Sequence, residues 1–224
     1  MSLVQGEGRV EILYGVSPMP IPPDRDVYVA RPDFSGAHPA VIVVPGDGGV
    51  TPSVKALCRR IARFGYAALA PDLFRGASPG PISALPATRL EADLGDLLSV
   101  TGDEWSHWCA SDRFVTVGLG AGAAAGARLG SGDGGAVVIV PASLHGLAEA
   151  LAGGSALLAL VGGAFAGDVH VVRDAVGRGE WVVYGSVGSG FMDDGSGDYD
   201  GASAEDAFRR LVAFLDGRLT RIGA

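Results

Sequence analysis

The segment from Phe114 to Gly126 constrains the fold of this chain more than any other. It is a short β-type run that breaks into glycines at Gly118-Leu-Gly-Ala-Gly122 and continues in small helix-forming residues. A strand that turns sharply into a helix through glycines has the layout of a nucleophile elbow, in which the central residue points into an active site. The central residue here is Gly120, which has no side chain to attack a substrate. The sequence therefore predicts the scaffold of an elbow without its reactive atom.

Strand and helix patterns alternate on both sides of this elbow. Continuous apolar runs that end at glycine or proline are typical of strands buried on both faces of a parallel sheet. Besides the elbow strand, the runs are Ala40–Val44, Phe64–Asp72, Ala136–Val140, Ala156–Val161 and Glu180–Tyr184. Repeated units of this length predict a mostly parallel, doubly wound α/β sheet. In such a sheet, ligands bind at the carboxyl ends of the strands.

The N-terminal part of the sequence predicts a different strand arrangement from the rest of the sheet. Arg9–Tyr14 and Asp26–Ala30 read as strands around a proline-rich stretch, which predicts an antiparallel N-terminal edge. Thr51 and Pro52 predict the start of a helix, and Ser203 begins a capping-box-like start of the last helix.

No linker or repeat divides the sequence, so we expect one domain over residues 1–224.

Charge and composition exclude several classes of partner. The 17 Lys and Arg against 25 Asp and Glu give a net charge of -8, which argues against nucleic acid and anionic membranes as partners. No apolar run approaches the roughly 18 residues of a membrane span, and the N-terminus lacks a secretory pattern. We therefore expect a cytoplasmic protein, a monomer or a small homo-oligomer. The two cysteines, Cys58 and Cys109, have no metal-binding spacing, so no metal site is expected.

Three stretches together resemble the dienelactone hydrolase family of α/β-hydrolases. They are His38–Val44 with Phe64–Phe74, the elbow itself, and Tyr184–Asp194 followed by Tyr199 and the last helix. The resemblance runs from about residue 25 to the end of the chain. It implies a single-domain α/β-hydrolase fold that hydrolyses esters or lactones with a Cys or Ser nucleophile, an Asp and a His. It implies no metal or organic cofactor.

The resemblance fails at each catalytic position. The nucleophile position reads Gly120, the acid position reads Phe165, and the base position reads Ser189. The acidic residue that tunes the family's thiol is matched by Gly46. Because hydrolysis by this route needs a nucleophile, a base and a group that orients the base, the sequence predicts that the usual triad is absent.

Backbone groups at the same site do not depend on side chains. The resemblance places an oxyanion hole at the N–H groups of Asp47 and Ala121, which can bind a carbonyl or carboxylate. Gly120 and Ser189 are small and should enlarge the cavity, while Phe165 should add an apolar wall. The expected partner is therefore a small apolar or carbonyl-containing ligand.

Other residues are candidates with plain alternatives. Arg75 could hold an anionic ligand or be a solvated loop residue, and His145 could face the pocket because it follows a strand. His145, Ser189, Asp168 or Cys109 could serve a relocated hydrolase, although Ser189, Asp168 and Cys109 are also typical of loop or core positions. The other histidines, His38, His107 and His170, fall where surface or loop positions are expected. Gly118–Ala123 also fits a dinucleotide fingerprint, but the next strand ends at Pro141 without the acidic residue that would bind a ribose.

Three functions remain open from the sequence. The first is a small-molecule binding protein or non-hydrolytic enzyme that uses the former oxyanion hole. The second is an ester or lactone hydrolase with relocated catalytic residues. The third is a structural or regulatory protein whose pocket is filled by side chains.

Overall fold

A computed structural model describes residues 10–20, 25–131, 135–165 and 167–219. Within them lie eight strands: β1 Ile12–Pro18, β2 Asp26–Pro32, β3 His38–Val44, β4 Ala67–Pro71, β5 Cys109–Gly120, β6 Gly135–Pro141, β7 Ala156–Gly162 and β8 Glu180–Tyr184. The α-helices are α1 Pro52–Ala62, α2 Ala87–Gly102, α3 Ala123–Gly130, α4 Leu147–Ala150, α5 Val169–Val176 and α6 Gly201–Asp216. Short 3₁₀ turns lie at Ile82–Ala84 and Gly163–Phe165.

The strands form one sheet in the order β1-β2-β4-β3-β5-β6-β7-β8. Every pair from β4 to β8 is parallel, whereas β2 is antiparallel to both β1 and β4. The predicted α/β-hydrolase fold, with its antiparallel N-terminal edge, is confirmed. The first strand lies further along the chain than predicted: it begins at Ile12 and ends at Pro18, and Arg9 lies outside the described residues.

Helices pack on both faces of the sheet because strand residues alternate between them. In β3, Val41 and Val43 join one hydrophobic cluster with α1 and α6, and Ile42 joins another with α2. A third cluster gathers α3, α4 and α5 against β6 and β7. The strands that the sequence predicted to be buried on both faces are therefore covered by helices on both faces of the sheet.

Two helix starts show how local chemistry fixes the ends of elements. Thr51 caps α1 as predicted, since its hydroxyl accepts from the N–H of Val54 at 3.2 Å and Pro52 is the first helical residue. The prediction for α6 was wrong by one turn. Asp200 is the cap, and its carboxylate accepts from the N–H of Ser203 at 2.8 Å. Hydrogen bonds from Ser203 lower the pKa of Asp200.

Both cysteines and one histidine are core residues. Cys58 lies in α1 and Cys109 begins β5, and burial raises the pKa of each thiol to about 12. His38, expected at a surface or loop position, is fully buried at the start of β3, where it pairs with Cys109. Cys109 is thus a thiol at the amino end of the sheet, so it is not placed to serve as a nucleophile at the elbow.

The burial of His38 predicts a pH-dependent stability. Its Nε2 lies 3.1 Å from the carbonyl oxygen of Phe34, its Nδ1 has no hydrogen-bond partner, and burial lowers the pKa of His38. The unfolded chain takes up a proton near pH 6.5, but the folded chain does so only at lower pH. The free energy of unfolding should therefore be highest above pH 6.5 and fall as the pH drops, with a slope of at most about 1.4 kcal/mol per pH unit.

Urea unfolding at pH 7.5, 6.5 and 5.5 measures this effect. The His38→Gln variant, whose amide can still donate to Phe34, should lose less stability than the unmodified chain over the same interval. Parallel profiles for the two proteins would contradict the assignment to His38.

Candidate functional site

A cavity of about 340 Å³ lies over the elbow at the carboxyl ends of the strands. The loops after β3, β5, β6 and β8, one face of α1 and the first turn of α6 surround it. Five of the predicted site residues line this cavity: Gly46, Asp47, Gly120, Ala121 and Ser189. Apolar side chains form much of the remaining wall, among them Val54, Leu57, Leu119, Val140 and Met192.

Gly120 has the backbone geometry of an elbow. Its φ of +54° lies in the left-handed region, which glycine adopts without the steric cost that other residues meet. A Cβ at this position would find only the Cβ of Ala142 within 4 Å, at 3.9 Å. A side chain at position 120 would therefore point into open space in the cavity. The reactive atom is missing, but the place for it remains.

The other glycines of the elbow permit close packing of backbone on backbone. A Cβ at Gly122 would lie 2.2 Å from the carbonyl oxygen of Pro45, and one at Gly126 would lie 2.9 Å from the Cα of Gly118. A Cβ at Gly46 would lie 3.3 Å from the backbone nitrogen of Ala121. The start of α3 thus lies directly against the loop after β3. This contact brings the backbones of Asp47 and Ala121 to the same wall of the cavity.

The side chain of Asp47 holds its loop in place. Its Oδ1 accepts a hydrogen bond of 2.8 Å from the backbone N–H of Ile82, which begins the 3₁₀ turn before α2. Further along the same loop, a Cβ at Gly49 would lie 3.3 Å from Pro79 and 3.4 Å from Phe74. The carboxylate is therefore engaged with the neighbouring loop. What Asp47 can offer a ligand through the predicted oxyanion hole is its backbone N–H.

Ser189 lies in the loop after β8, which interlocks with the end of β7. A Cβ at Gly162 would lie 2.3 Å from the carbonyl oxygen of Gly188, and one at Gly188 would meet the carboxylate of Asp198. The N–H of Gly190 donates to the same carboxylate at 3.5 Å. The segment on either side of Ser189 is thus held by Asp198 and by β7. Ser189 lines the cavity, and the family resemblance of the sequence implies that this is the position of the base.

Three of the predicted site residues lie elsewhere. Phe165 ends the 3₁₀ turn after β7 and packs against the α3–α5 cluster, so the expectation that it walls the cavity is wrong. His145 is an exposed turn residue before α4 and is not among the described residues that line the cavity. Asp168, the residue before α5, is likewise exposed and outside the cavity.

Arg75 is held by a buried carboxylate. Its Nη2 lies 2.5 Å from Oδ1 of Asp93, which also binds Arg25 at 2.8 Å, and this hydrogen bond raises the pKa of Arg75. Asp93 is only 3% exposed and lies on the inner face of α2. Arg75 thus helps to pair a buried carboxylate. It is not among the described residues that line the cavity, so its contact with an anionic ligand stays a prediction.

Sequence reasoning missed the arginine that does reach the cavity. Arg60 is the one Lys or Arg among the described lining residues, and its guanidinium lies 3.8 Å from the ring centroid of Phe208. It also forms a salt bridge of 2.6 Å with Glu205. The position of Arg60 on the third turn of α1 gave no motif, and only the packing of α6 beside α1 places it there. Tyr199, half-exposed near the same opening, was noted only as part of the family resemblance.

The described residues contain no group of three or more His, Cys, Asp or Glu side chains placed to hold a metal ion. Within the same ranges, no helix is long and apolar enough to cross a membrane.

Comparisons with known proteins point to one family. A family model described as the dienelactone hydrolase family matches residues 25–101. A protein of Escherichia coli K12 named "Putative carboxymethylenebutenolidase" is 29% identical over 225 residues, covering 84% of this chain and 80% of its own length. The crystal structure of a "Putative Dienelactone Hydrolase" from Klebsiella pneumoniae is 26% identical and superposes with a TM-score of 0.78, covering 92% of this chain and 99% of the other. The resemblance to dienelactone hydrolases is confirmed.

One local similarity covers only part of the relative. A "Putative carboxymethylenebutenolidase" of Methylorubrum extorquens is 34% identical over 128 residues, which are 57% of this chain and 40% of that protein. The matched segment thus spans less than half of this relative. The family-model match also ends before the elbow begins. The dienelactone hydrolase likeness therefore shows the fold, and the chemistry of the site must be argued from the residues in the cavity.

Proposed function

We propose that this dienelactone hydrolase-like chain binds a small apolar, carbonyl-containing molecule in the cavity over the elbow and does not hydrolyse esters by the usual triad. One observation carries the proposal: the space that a nucleophile side chain would occupy at Gly120 is open and belongs to the cavity. The scaffold that aims groups at a carbonyl is retained, while the attacking atom is missing.

The residues around the cavity support binding over hydrolysis. Attack on an ester needs a nucleophile with a base within hydrogen-bond reach. The described lining residues include neither histidine nor cysteine. Three carboxylates are among the described lining residues: Asp47 accepts from the N–H of Ile82, Asp193 accepts from the N–H of Gly195, and Asp194 is the third. Among these lining residues, no hydrogen bond joins a carboxylate to a hydroxyl group that it could activate as a base.

The ligand class follows from the chemistry of the wall. Apolar side chains and glycine backbone form most of it, and pockets of a few hundred Å³ lined in this way bind small molecules with a few polar contacts for orientation. The N–H groups of Asp47 and Ala121 supply such contacts for a carbonyl or carboxylate oxygen.

A hydrolase with relocated residues is the second candidate. It is favoured by the names of the relatives and by the hydroxyl groups of Thr51, Ser53 and Ser189 at the cavity. The third function read from the sequence, a pocket filled by side chains, loses its premise because the cavity is open. Turnover of p-nitrophenyl esters, or labelling by a fluorophosphonate probe, decides between the first two. Catalytic turnover of the ester, or labelling by the probe, would overturn the non-hydrolytic proposal.

Blocking the cavity tests the binding itself. Native mass spectrometry of protein purified from its host should detect a retained small molecule, and Gly120→Val should abolish that mass because its side chain fills the space above the elbow. Gly146→Val is the matched control, since Gly146 also has a positive φ of +69° and open space around its Cβ but lies outside the cavity. Equal ligand retention in both variants, or none in the unmodified protein, would contradict the proposal.

A further inference from the structure

A second cavity, of about 440 Å³, opens at the opposite edge of the sheet from the elbow. It lies at the amino-terminal ends of β6 and β7 and is called the amino-edge cavity below. Arg113 of β5, Ser155 just before β7 and Arg218 just after α6 line it. Nothing in the proposed function uses these residues.

A bulge in β5 brings Arg113 to this cavity. Pro39 of β3 pairs with Ala110, but the next residue, Ala40, pairs with Phe114, so 111–113 form the bulge. Bulges disrupt the ladder locally and redirect side chains, often beside functional sites. Arg113 is exposed at this bulge.

The guanidinium groups of Arg113 and Arg218 are unpaired. Across the described ranges, neither forms a salt bridge or donates a hydrogen bond, although seven other arginines do form salt bridges. Arg218 only lies near the ring of Phe214, with its guanidinium carbon 5.5 Å from the centroid. Each guanidinium offers five N–H donors in a planar fork. Other described arginines also lack a salt bridge, but Arg113 and Arg218 line one cavity together, and no Asp or Glu is among the described residues that line it.

Ser155 gives an independent sign of a missing partner. The residue is only 9% exposed, and its hydroxyl oxygen is buried without any hydrogen-bond partner. Its backbone is fixed, because Nε of Arg178 donates to the carbonyl oxygen of Ser155 at 2.8 Å. A buried polar group left unpaired costs stability, so native proteins seldom retain one without a function.

The end of α6 accounts for only part of this arrangement. A cation after the last turn of a helix complements the helix dipole, which suits Arg218. The carbonyl oxygens of Ala213 and Leu215, however, already accept from the N–H groups of Gly217, Arg218 and Leu219. The guanidinium donors therefore remain unused. The amino-edge cavity holds an excess of donors and positive charge over acceptors.

We propose that the amino-edge cavity binds a phosphate group. Guanidinium forks match phosphate oxygens in bidentate geometry. The hydroxyl of Ser155 is buried in the free protein, so it would add a further donor by rotating its side chain toward the bound phosphate. The cavity is larger than one phosphate ion, so it has room for a small organic group attached to that phosphate. The site is separate from the elbow, and its occupancy does not depend on what the elbow binds.

Calorimetric titration at constant ionic strength tests the proposal. Inorganic phosphate and phosphoserine are the two probes. The probe that binds with the higher affinity shows whether a free ion or a phosphate monoester is the ligand. In Arg113→Gln/Arg218→Gln the affinity should fall at least tenfold. Arg63→Gln/Arg128→Gln is the matched control, because it removes the same charge from two exposed arginines outside this cavity. The control should bind within twofold of the unmodified protein.

Failure of both probes to bind saturably would overturn the proposal. Equal losses in the two double variants would also overturn it, since they would indicate attraction by net charge alone.

Ser155→Ala gives a readout that a structural serine would not produce. Removing an unpaired buried hydroxyl should raise the unfolding temperature in the absence of phosphate. The same substitution should weaken phosphate binding about threefold or more, because one donor is lost. If the phosphate affinity of Ser155→Ala were unchanged, Ser155 would not belong to the site, and the proposal as stated would be wrong.

Discussion

A triple variant carrying Gly120→Cys, Phe165→Asp and Ser189→His is expected to hydrolyse p-nitrophenyl acetate, a reaction in which the unmodified chain is expected to stay at the background rate. A cysteine at position 120 would project into the open cavity, and a histidine at position 189 would enter it from the opposite loop. A positioned base contributes roughly 10²- to 10⁴-fold to such reactions, so a gain of about 10²-fold over background is the expected outcome.

The partial variants separate the contributions. Gly120→Cys alone should be alkylated by iodoacetamide but turn over poorly, because no base assists it. Gly120→Cys/Ser189→His should give most of the gain, since Phe165 packs away from the cavity and an aspartate there is the least well placed of the three. A triple variant that folds correctly yet shows no more activity than Gly120→Cys would contradict the assignment of position 189 to the base.

The predicted site residues that lie together in the structure are those whose place is determined by the backbone. Gly46, Asp47, Gly120, Ala121 and Ser189 meet at one cavity because parallel strands bring their carboxyl-end loops to one edge of the sheet. A strand, a breaker and a loop are readable from local sequence. The meeting of their ends then follows from the topology.

The predicted site residues that lie outside the cavity have side chains whose direction depends on distant partners. Arg75 also follows a strand, but Asp93 of α2, eighteen positions later, holds its guanidinium. Phe165 occupies the family's acid position, yet a phenyl ring is stabilised by burial and so packs with the apolar cluster beside α5. Neither partner can be identified from spacing, because each depends on how a helix packs.

The same distinction holds for the fold. The start of α1 was predictable because Thr51 and Pro52 act within one turn. The helices α4 and α5 were not predicted; they have four and eight residues, and a short amphipathic pattern in a glycine-rich chain has little periodicity to detect. His38 was misplaced because its burial comes from strand pairing with Cys109, which is 71 positions away.

Gly122→Ala is expected to destabilise the protein by about 3 kcal/mol, near the upper end of the usual range for overpacking. The added Cβ would lie 2.2 Å from the carbonyl oxygen of Pro45, and that neighbour is backbone, which cannot rotate away. The φ of Gly122 is -75°, so the conformation itself suits alanine and the whole effect comes from the contact. The start of α3 would have to move away from the loop after β3.

Urea unfolding of Gly122→Ala and Gly15→Ala measures this contact directly. Gly15 has no atom within 4 Å of its Cβ position, so its substitution should change the free energy of unfolding by no more than about 0.5 kcal/mol. The displacement of α3 would also separate Ala121 from the loop of Asp47, and ligand retention at the elbow should fall in the folded fraction of Gly122→Ala. Stability equal to that of Gly15→Ala would mean that α3 and β3 are further apart than described. The backbone wall proposed to bind a carbonyl would then lose its basis, because it depends on that approach.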